Sequence, residues 1–281
     1  MFFSIVILLV ALGSFVMYTT VKDDNNNITG ATVSAPVSAE KIYKLFLCPC
    51  CGDTIDVRCC PMAKEMIDYI DAQIAAGLSE DEVIIQAVKK FGITSLVESK
   101  RGEIESKLKE SNPNLFPTDK LVFRQAVGKK APDFSLDGIS GEIVKLSDYR
   151  GKNIVLFFNE GSMCYPACWN QIAELGNDER FNTNDVVAFS IVIDQKSDWE
   201  KIIKKTPGYS NAKLLFDPTR AVSSAYDVLN LPSSMHKGSY PGHTYFIIDK
   251  EGIIRYTWDD PNMALWNDRL VNELEKISGE Q

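Results

Sequence analysis

The chain has 281 residues, enough for two folded units, since single domains commonly run to about 100–200 residues. Its 30 basic and 38 acidic side chains give a net charge of −8 without a basic cluster, which argues against a nucleic-acid partner. There is no P-loop, and no G-x-G-x-x-G follows a predicted strand, so no organic cofactor is expected.

The first predicted element is a membrane helix. Residues 1–21 carry no charged side chain, and as a helix they would extend about 30 Å, enough to cross the hydrocarbon core. The segment lacks the basic start and the nearby small-residue cleavage site of a signal peptide, which favours an uncleaved anchor. Residues 22–40 are polar and aperiodic, as is typical of a linker.

Residues 41–110 combine five cysteines with helical periodicity. Apolar residues recur at every fourth position over 62–78, which predicts a buried helix face. Ser79 and Glu82 form a capping box that starts a second helix, and a third helix is predicted before the proline-containing connector at 111–126. This pattern indicates a small all-α Cys-rich domain.

From residue 127 to 281 strand and helix patterns alternate, which predicts an α/β layered sheet. The predicted strands are 153–158, 186–193, 213–216, 244–249 and 253–258. The predicted helices lie near 167–176, 197–205, 220–228 and 262–278.

Two cysteines stand where the first of these strands passes into a helix that begins near Pro166. The positive end of the helix dipole would stabilise a Cys164 thiolate and lower its pKa. Cys168 lies one turn later on the same face, at a Cα separation of ~6 Å that permits a disulfide. We expect Cys164 to attack and Cys168 to resolve; a permanent staple or two buried small side chains are the alternatives.

The segment VGKKAPDFSLDGISGEIVKLSDYRGKNIVLFFNEGSMCYPAC, residues 127–168, resembles the entry to the AhpC/TSA redoxins, the peroxiredoxin branch of the thioredoxin fold. HTYFIIDKEGIIR, residues 243–255, is similar to the late strand pair of that family. The resemblance implies a thioredoxin fold over 127–281. It also implies a thiol enzyme that reduces peroxides, or exchanges protein disulfides, with electrons from an external thiol donor.

The chain departs from the family pattern beside the cysteines. The family's Thr or Ser three positions before the first cysteine is replaced by Gly161, so Ser162 is the nearest candidate hydroxyl. His243 holds the place of the cis-proline of thioredoxin-like enzymes, and we expect its imidazole to face Cys164 and support the thiolate or move a proton. A half-buried structural histidine is the alternative. Glu160 is interpreted as a solvated loop carboxylate, with a proton acceptor near the site as the alternative.

LCPCCGDTIDVRCCPMAKEMIDYIDAQIAAGLSEDEVIIQAVKKFG, residues 47–92, resembles the CcmH-type thiol subunit of cytochrome c maturation, which joins a C-x-x-C motif to a three-helix bundle. Cys48, Cys51, Cys59 and Cys60 could supply four thiolates to a zinc ion. Structural or redox disulfides are the competing interpretation.

Three functions remain open at this point. The first is a membrane-anchored thiol peroxidase with antioxidant activity. The second is a protein thiol–disulfide oxidoreductase of cytochrome c maturation or extracytoplasmic redox chemistry. The third is a metal or haem-delivery module. A thiol-rich, single-pass chain fits an oxidising space served by an external reductant such as a membrane thiol reductase, so the folded part is expected outside the cytoplasm.

Overall fold

The computed structural model describes residues 5–11, 14–22, 28–33, 37–111 and 116–279. The expected anchor, linker and connector each include a few residues outside this described part. The backbone of the N-terminal region forms an antiparallel sheet of three strands, in the order β1-β2-β3. These strands are β1 (Ile5–Ala11), β2 (Ser14–Lys22) and β3 (Ile28–Val33).

This sheet corrects two expectations. The segment 1–21 was expected to be one helix, and it contributes two strands; the expected linker 22–40 contributes a third. An uninterrupted apolar run carries no periodicity that separates helix from strand, and the many β-branched residues here favour strands. In the described part of the chain, no helix combines the length and the apolar character needed to cross a membrane.

The Cys-rich unit is helical, as its periodicity predicts. Its helices are α1 (Ala39–Tyr43), α2 (Pro61–Ala75), α3 (Glu80–Phe91) and α4 (Glu98–Ser111). The predicted capping box is present, since the Ser79 backbone N–H donates to Glu82 Oε2 at 2.8 Å. Met66 and Ile70 from α2 are fully buried against Val83 and Ala87 from α3. Burial of these apolar faces, rather than helix propensity, stabilises such short helices.

The second unit is built on a seven-stranded sheet in the order β10-β9-β6-β7-β8-β4-β5. Its strands are β4 (Ser135–Gly138), β5 (Ile143–Lys145), β6 (Asn153–Phe158), β7 (Val186–Val192), β8 (Leu214–Phe216), β9 (Thr244–Ile248) and β10 (Ile254–Asp259). β6, β7 and β8 are parallel, whereas β9 runs antiparallel to β6. Every residue of β6 is buried, as expected of a central strand covered on both faces.

Four helices flank this sheet: α5 (Ala167–Asn177), α6 (Lys196–Lys205), α7 (Ala221–Ala225) and α8 (Asn267–Gly279). Alternate residues of β6 enter different cores. Leu156 and Phe158 pack with residues of α7, whereas Val155 and Phe157 pack with residues of α5 and α8. This mixed α/β arrangement agrees with the thioredoxin-like fold expected from the sequence.

Strand register gathers three chain segments at one edge. Phe158, the last residue of β6, pairs with Thr244 at the start of β9 and with Ile191 near the end of β7. The loop after β6, the residue before β9 and the loop after β7 therefore meet. The two cysteines, His243 and Asp194 lie on those three segments.

The two units are joined by a buried arginine. Arg220, 3% exposed, donates from Nη1 to the Lys90 carbonyl of the Cys-rich unit at 3.2 Å. Gln195 Nε2 donates to the Lys89 carbonyl at 3.0 Å. Gly92, at φ +88°, lies against the Arg220 side chain so closely that a Cβ there would overlap it.

Candidate active site

Cys164 and Cys168 form a disulfide at the start of α5, with their Cα atoms 5.3 Å apart. Pro166 is the residue before the helix, and the Cys168 backbone N–H donates to the Cys164 carbonyl at 3.0 Å. Cys164 is 3% exposed and Cys168 is fully buried. An attacking reagent therefore reaches the Cys164 sulfur first.

Two exposed apolar side chains border Cys164. Met163 is 46% exposed and Tyr165 is 70% exposed. Tyr165 makes an edge contact with the Trp169 ring at 5.2 Å between centroids, and Trp169 Nε1 donates to the Ser162 carbonyl at 3.2 Å. Trp169 thus packs beside the disulfide turn and supports it.

His243 contacts the second cysteine, whereas the sequence predicted contact with the first. Its Nδ1 lies 3.7 Å from the Cys168 Sγ, and the ring is fully buried rather than half-buried. Its Nε2 lies 3.2 Å from the Ala264 carbonyl and 2.7 Å from the Tyr245 hydroxyl. Because a carbonyl can only accept, we assign the proton to Nε2, which leaves the Nδ1 lone pair directed at the sulfur.

Burial also sets the charge of this histidine. Loss of hydration disfavours the imidazolium and lowers the pKa of His243 to about 4, against the opposing effect of the Asp260 carboxylate. At neutral pH the ring is therefore uncharged, and its Nδ1 can accept a hydrogen bond from Cys168 when that residue is a thiol.

Ser162 was expected to offer a hydroxyl to the reacting centre, but its hydroxyl is committed elsewhere. Its Oγ donates to Asp194 Oδ1 at 2.7 Å, and its backbone N–H donates to Asp194 Oδ2 at 2.9 Å. Trp199 Nε1 donates to Asp194 Oδ2 at 2.7 Å. Sequence reasoning missed Asp194, and its burial raises its carboxyl pKa.

Glu160 corrects a further expectation, because it is fully buried rather than solvated. Its Oε1 accepts from the Met235 backbone N–H at 2.6 Å, and its Oε2 lies 3.3 Å from His236 Nδ1. This carboxylate ties the loop before β9 to the cysteine turn.

A loop between β10 and α8 completes the site, where the sequence predicted helix from residue 262. Asp260 Oδ2 accepts from the Ala264 backbone N–H at 2.7 Å and from Trp266 Nε1 at 2.6 Å. The Asp260 backbone N–H donates to the His243 carbonyl at 2.9 Å. The loop brings Met263 Sδ to 3.8 Å from Cys164 Sγ.

The Cys-rich unit contains a separate sulfur cluster. Cys51 and Cys59 form a disulfide, and Cys48 Sγ lies 3.2 Å from Cys60 Sγ. The four thiolates expected for zinc are therefore not all available together, because two of them are joined. Sulfur atoms of Cys48, Cys50 and Cys60 lie within 4.8 Å of one another.

Cys60 precedes the first residue of α2. Backbone N–H groups of Ala63 and Met62 hydrogen-bond its sulfur, and the Ala63 contact is the largest cause that lowers the Cys60 pKa. In contrast, partial loss of hydration at its sulfur raises the pKa of Cys50 to about 11 although the residue is exposed, and hydrogen bonding to Cys60 adds to that effect. In this cluster the Cys60 thiol is therefore more acidic than an ordinary cysteine, and the Cys50 thiol is less acidic.

The second unit is similar in sequence to known proteins. Residues 127–257 match the model of the AhpC/TSA family. Peroxiredoxin Bcp of Bacillus subtilis is 36% identical over 137 residues, which cover 47% of this chain and 83% of that protein. Peroxiredoxin-2 of Cricetulus griseus is 36% identical over 138 residues, 46% of this chain and 67% of that protein. A reduced 2-Cys peroxiredoxin of Plasmodium vivax superposes with a TM-score of 0.48 at 20% identity, covering 56% of this chain and 98% of that one.

Proposed function

This chain belongs to the AhpC/TSA family and is a thiol-dependent peroxidase, and from that premise we propose that Cys164 is its nucleophile and Cys168 its resolving residue. The Cys164 thiolate attacks one peroxide oxygen, forming an S–O bond as the O–O bond breaks, and the departing oxygen takes up the proton that the thiol lost and leaves as water or an alcohol. The Cys168 thiol then attacks the sulfenic sulfur and releases water. Two electrons from an external thiol donor reduce the resulting disulfide.

One observation carries this proposal: Cys164 and Cys168 are already joined in the turn between β6 and α5, and Cys164 is the more exposed of the two residues. The proposed product of peroxide reduction is thus compatible with the fold as it stands. No organic cofactor takes part in these steps.

His243 has a defined task in this scheme. Its unprotonated Nδ1, 3.7 Å from Cys168 Sγ, accepts a hydrogen bond from the Cys168 thiol and orients that sulfur for attack on the sulfenic acid, and the thiol proton leaves with the sulfenic oxygen as water. His243 is therefore proposed to position Cys168 for the resolving step rather than to support the Cys164 thiolate.

Protein-disulfide exchange is the second candidate function, and a specific observation favours it. The one hydroxyl near the cysteine turn that the sequence offered for peroxide binding, on Ser162, is bound to Asp194. The exposed Met163 and Tyr165 instead provide an apolar rim on which a polypeptide could lie.

Several expectations remain proposals. We retain membrane attachment through residues 1–21 and an extracytoplasmic location, on the basis of the uncharged N-terminal segment. The CcmH-like character of residues 47–92 and a role in cytochrome c maturation or haem delivery rest on the sequence resemblance alone. A zinc ion in the Cys-rich unit would require reduction of Cys51–Cys59, or use of Cys48, Cys50 and Cys60 instead. Membrane fractionation and anaerobic metal analysis test these points.

The deciding experiment is stopped-flow tryptophan fluorescence of the reduced full chain mixed with hydrogen peroxide. We expect a fast phase that Cys164→Ser abolishes and a second phase that Cys168→Ser abolishes. Trp169→Phe identifies the reporter. Cys50→Ser is the matched control, because Cys50 is an exposed thiol of the other unit. Oxidation no faster than that of a free thiol, together with ready exchange against a protein disulfide, would favour the second candidate.

A further inference from the structure

Four potential metal-ligand atoms, three sulfurs and one imidazole nitrogen, lie beside one another at the cysteine turn. Cys164 Sγ and Cys168 Sγ are joined, Met263 Sδ lies 3.8 Å from the first, and His243 Nδ1 lies 3.7 Å from the second. The thiol chemistry proposed above uses both sulfurs and the imidazole, but it gives no task to the thioether.

Met263 is held in place by its backbone. Its φ of +51° is uncommon for a residue with a side chain, and such conformations persist only where the surroundings fix them. Here the Asp260 carboxylate fixes the loop by accepting the backbone N–H groups of Asn262 and Ala264, at 3.0 and 2.7 Å. The loop therefore directs a thioether at Cys164 at a conformational cost.

The same loop orients the histidine. The Ala264 carbonyl, next in the chain after Met263, lies 3.2 Å from His243 Nε2. A carbonyl that accepts from one ring nitrogen fixes the tautomer and frees the other nitrogen as a ligand, which is the usual support for a metal-binding histidine. One loop thus prepares both the nitrogen and the thioether donors.

We propose that the reduced site binds one Cu(I) ion through Cys164, Cys168, His243 and Met263. Thiolate and thioether sulfur select Cu(I), whereas zinc sites in proteins use thiolate, imidazole and carboxylate ligands. Cys168 and His243 are fully buried, Cys164 is 3% exposed, and Met263 is only partly exposed, so the ion would be shielded from water.

The proposal rests on the proposed function in one respect, since the disulfide must first be reduced. A thiol donor supplies two electrons and itself becomes a disulfide, leaving two thiols at Cys164 and Cys168. Cu(I) then replaces the thiol protons without changing its oxidation state. While copper occupies the Cys164 sulfur, that sulfur is unavailable to a peroxide, so the two reactions exclude each other.

The test is an anaerobic titration of the reduced full chain with Cu(I) in competition with a chromophoric Cu(I) chelator. The sulfur cluster of the Cys-rich unit also binds soft metals, so the reference is the double variant Cys164→Ser/Cys168→Ser, which keeps that cluster. We expect the wild type to take up one more copper equivalent than the double variant. Met263→Leu should raise the Kd of this additional ion about 10-fold or more and leave Zn(II) binding unchanged.

The matched control is Met235→Leu, which removes a thioether that is 57% exposed elsewhere on the same unit and should leave the copper Kd unchanged. Equal copper uptake by wild type and double variant would overturn the proposal, as would a Met263→Leu Kd equal to that of the wild type. Because no peroxide is present, this result is independent of the peroxidase assay. A chain that binds the additional copper but reduces no peroxide refutes only the proposed function.

Discussion

The carboxylate of Asp194 occupies the space that a side chain at position 161 would need. A Cβ at Gly161 would lie well within 3.0 Å of Asp194, closer than Cβ atoms approach other heavy atoms, and the residue has φ +64°. The hydroxyl residue of the family pattern is therefore incompatible with this carboxylate. The glycine at position 161, where the family pattern has Thr or Ser, therefore leaves room for the Asp194 carboxylate.

We predict that Gly161→Thr destabilises the fold because the new side chain must displace a buried carboxylate. Gly128→Thr is the control, since Gly128 has φ +82° and open space around it, so it reports the backbone cost alone. In urea unfolding, the Gly161 variant should lose about 1–3 kcal/mol more than the control, the usual range for overpacking. Equal losses would mean that Asp194 moves aside freely.

We predict that His243 makes stability depend on pH below neutrality. Its pKa is about 4 in the folded chain and 6.5 for an ordinary histidine, so between these values the unfolded chain binds more protons. The contribution of His243 to the free energy of unfolding is fully present above pH 6.5. It is lost as pH falls towards 4, and the loss is at most about 3 kcal/mol.

Asp217 acts in the opposite direction over nearly the same range, because burial raises its pKa to about 6. The His243 effect must therefore be measured as the difference between the unfolding free energies of the wild type and His243→Gln at each pH. This difference should shrink as pH falls from 6.5 to 4. A difference that does not change with pH would show that the ring is protonated equally in both states.

We predict that Gly92→Ala loosens the contact between the two units, because its Cβ would overlap the buried Arg220 side chain. Gly77→Ala is matched in conformation, with φ +84° against +88° for Gly92, and has open space. Limited proteolysis should cleave the Gly92 variant between the units faster than the wild type. The Gly77 variant should lose only the backbone cost of a side chain at positive φ, about 1–2 kcal/mol. Identical cleavage of both variants would count against a packed interface at Arg220.

We predict that thiol reactivity in the Cys-rich unit does not follow exposure. Cys50 is the more exposed thiol, but its pKa is raised, whereas that of Cys60 is lowered at the start of α2. The thiolate is the reactive form, so iodoacetamide at pH 7 should label Cys60 before Cys50, as read by peptide mass spectrometry. Faster labelling of Cys50 would contradict this order.

The sequence predicts the central strands well, because the runs ending in Phe158 and Ile248 are continuous, apolar and bounded by polar turns. It does not predict β4 and β5, which are only 4 and 3 residues long and become strands by pairing with β8 and with each other. The N-terminal segment was misassigned because an apolar run without periodicity fits either element.

The sequence predicts the site only where the residues that form it are close together in the chain. The spacing of Cys164 and Cys168 predicts that they can pair. Asp194, by contrast, is 32 residues from its partner Ser162 and is brought there by strand order. Met263 is 99 residues from Cys164 and is brought there by a loop. Alignment predicted His243 near the cysteine pair, and the structure has its Nδ1 beside Cys168, but alignment could not distinguish two sulfurs one helical turn apart. The direction of its Nδ1 depends on the Ala264 carbonyl, for which the sequence carries no signal.

The buried guanidinium of Arg220 also affects whether the two units are stable independently of each other. A fragment that begins after the connector would keep the whole seven-stranded sheet, yet it would remove the Lys90 carbonyl and leave the Nη1 group without that acceptor. We therefore predict that the boundary visible in composition does not divide the chain into two parts that unfold independently. We expect calorimetry of the intact chain to show the two units unfolding in one transition. An excised catalytic fragment should be less stable than the same unit in the intact chain.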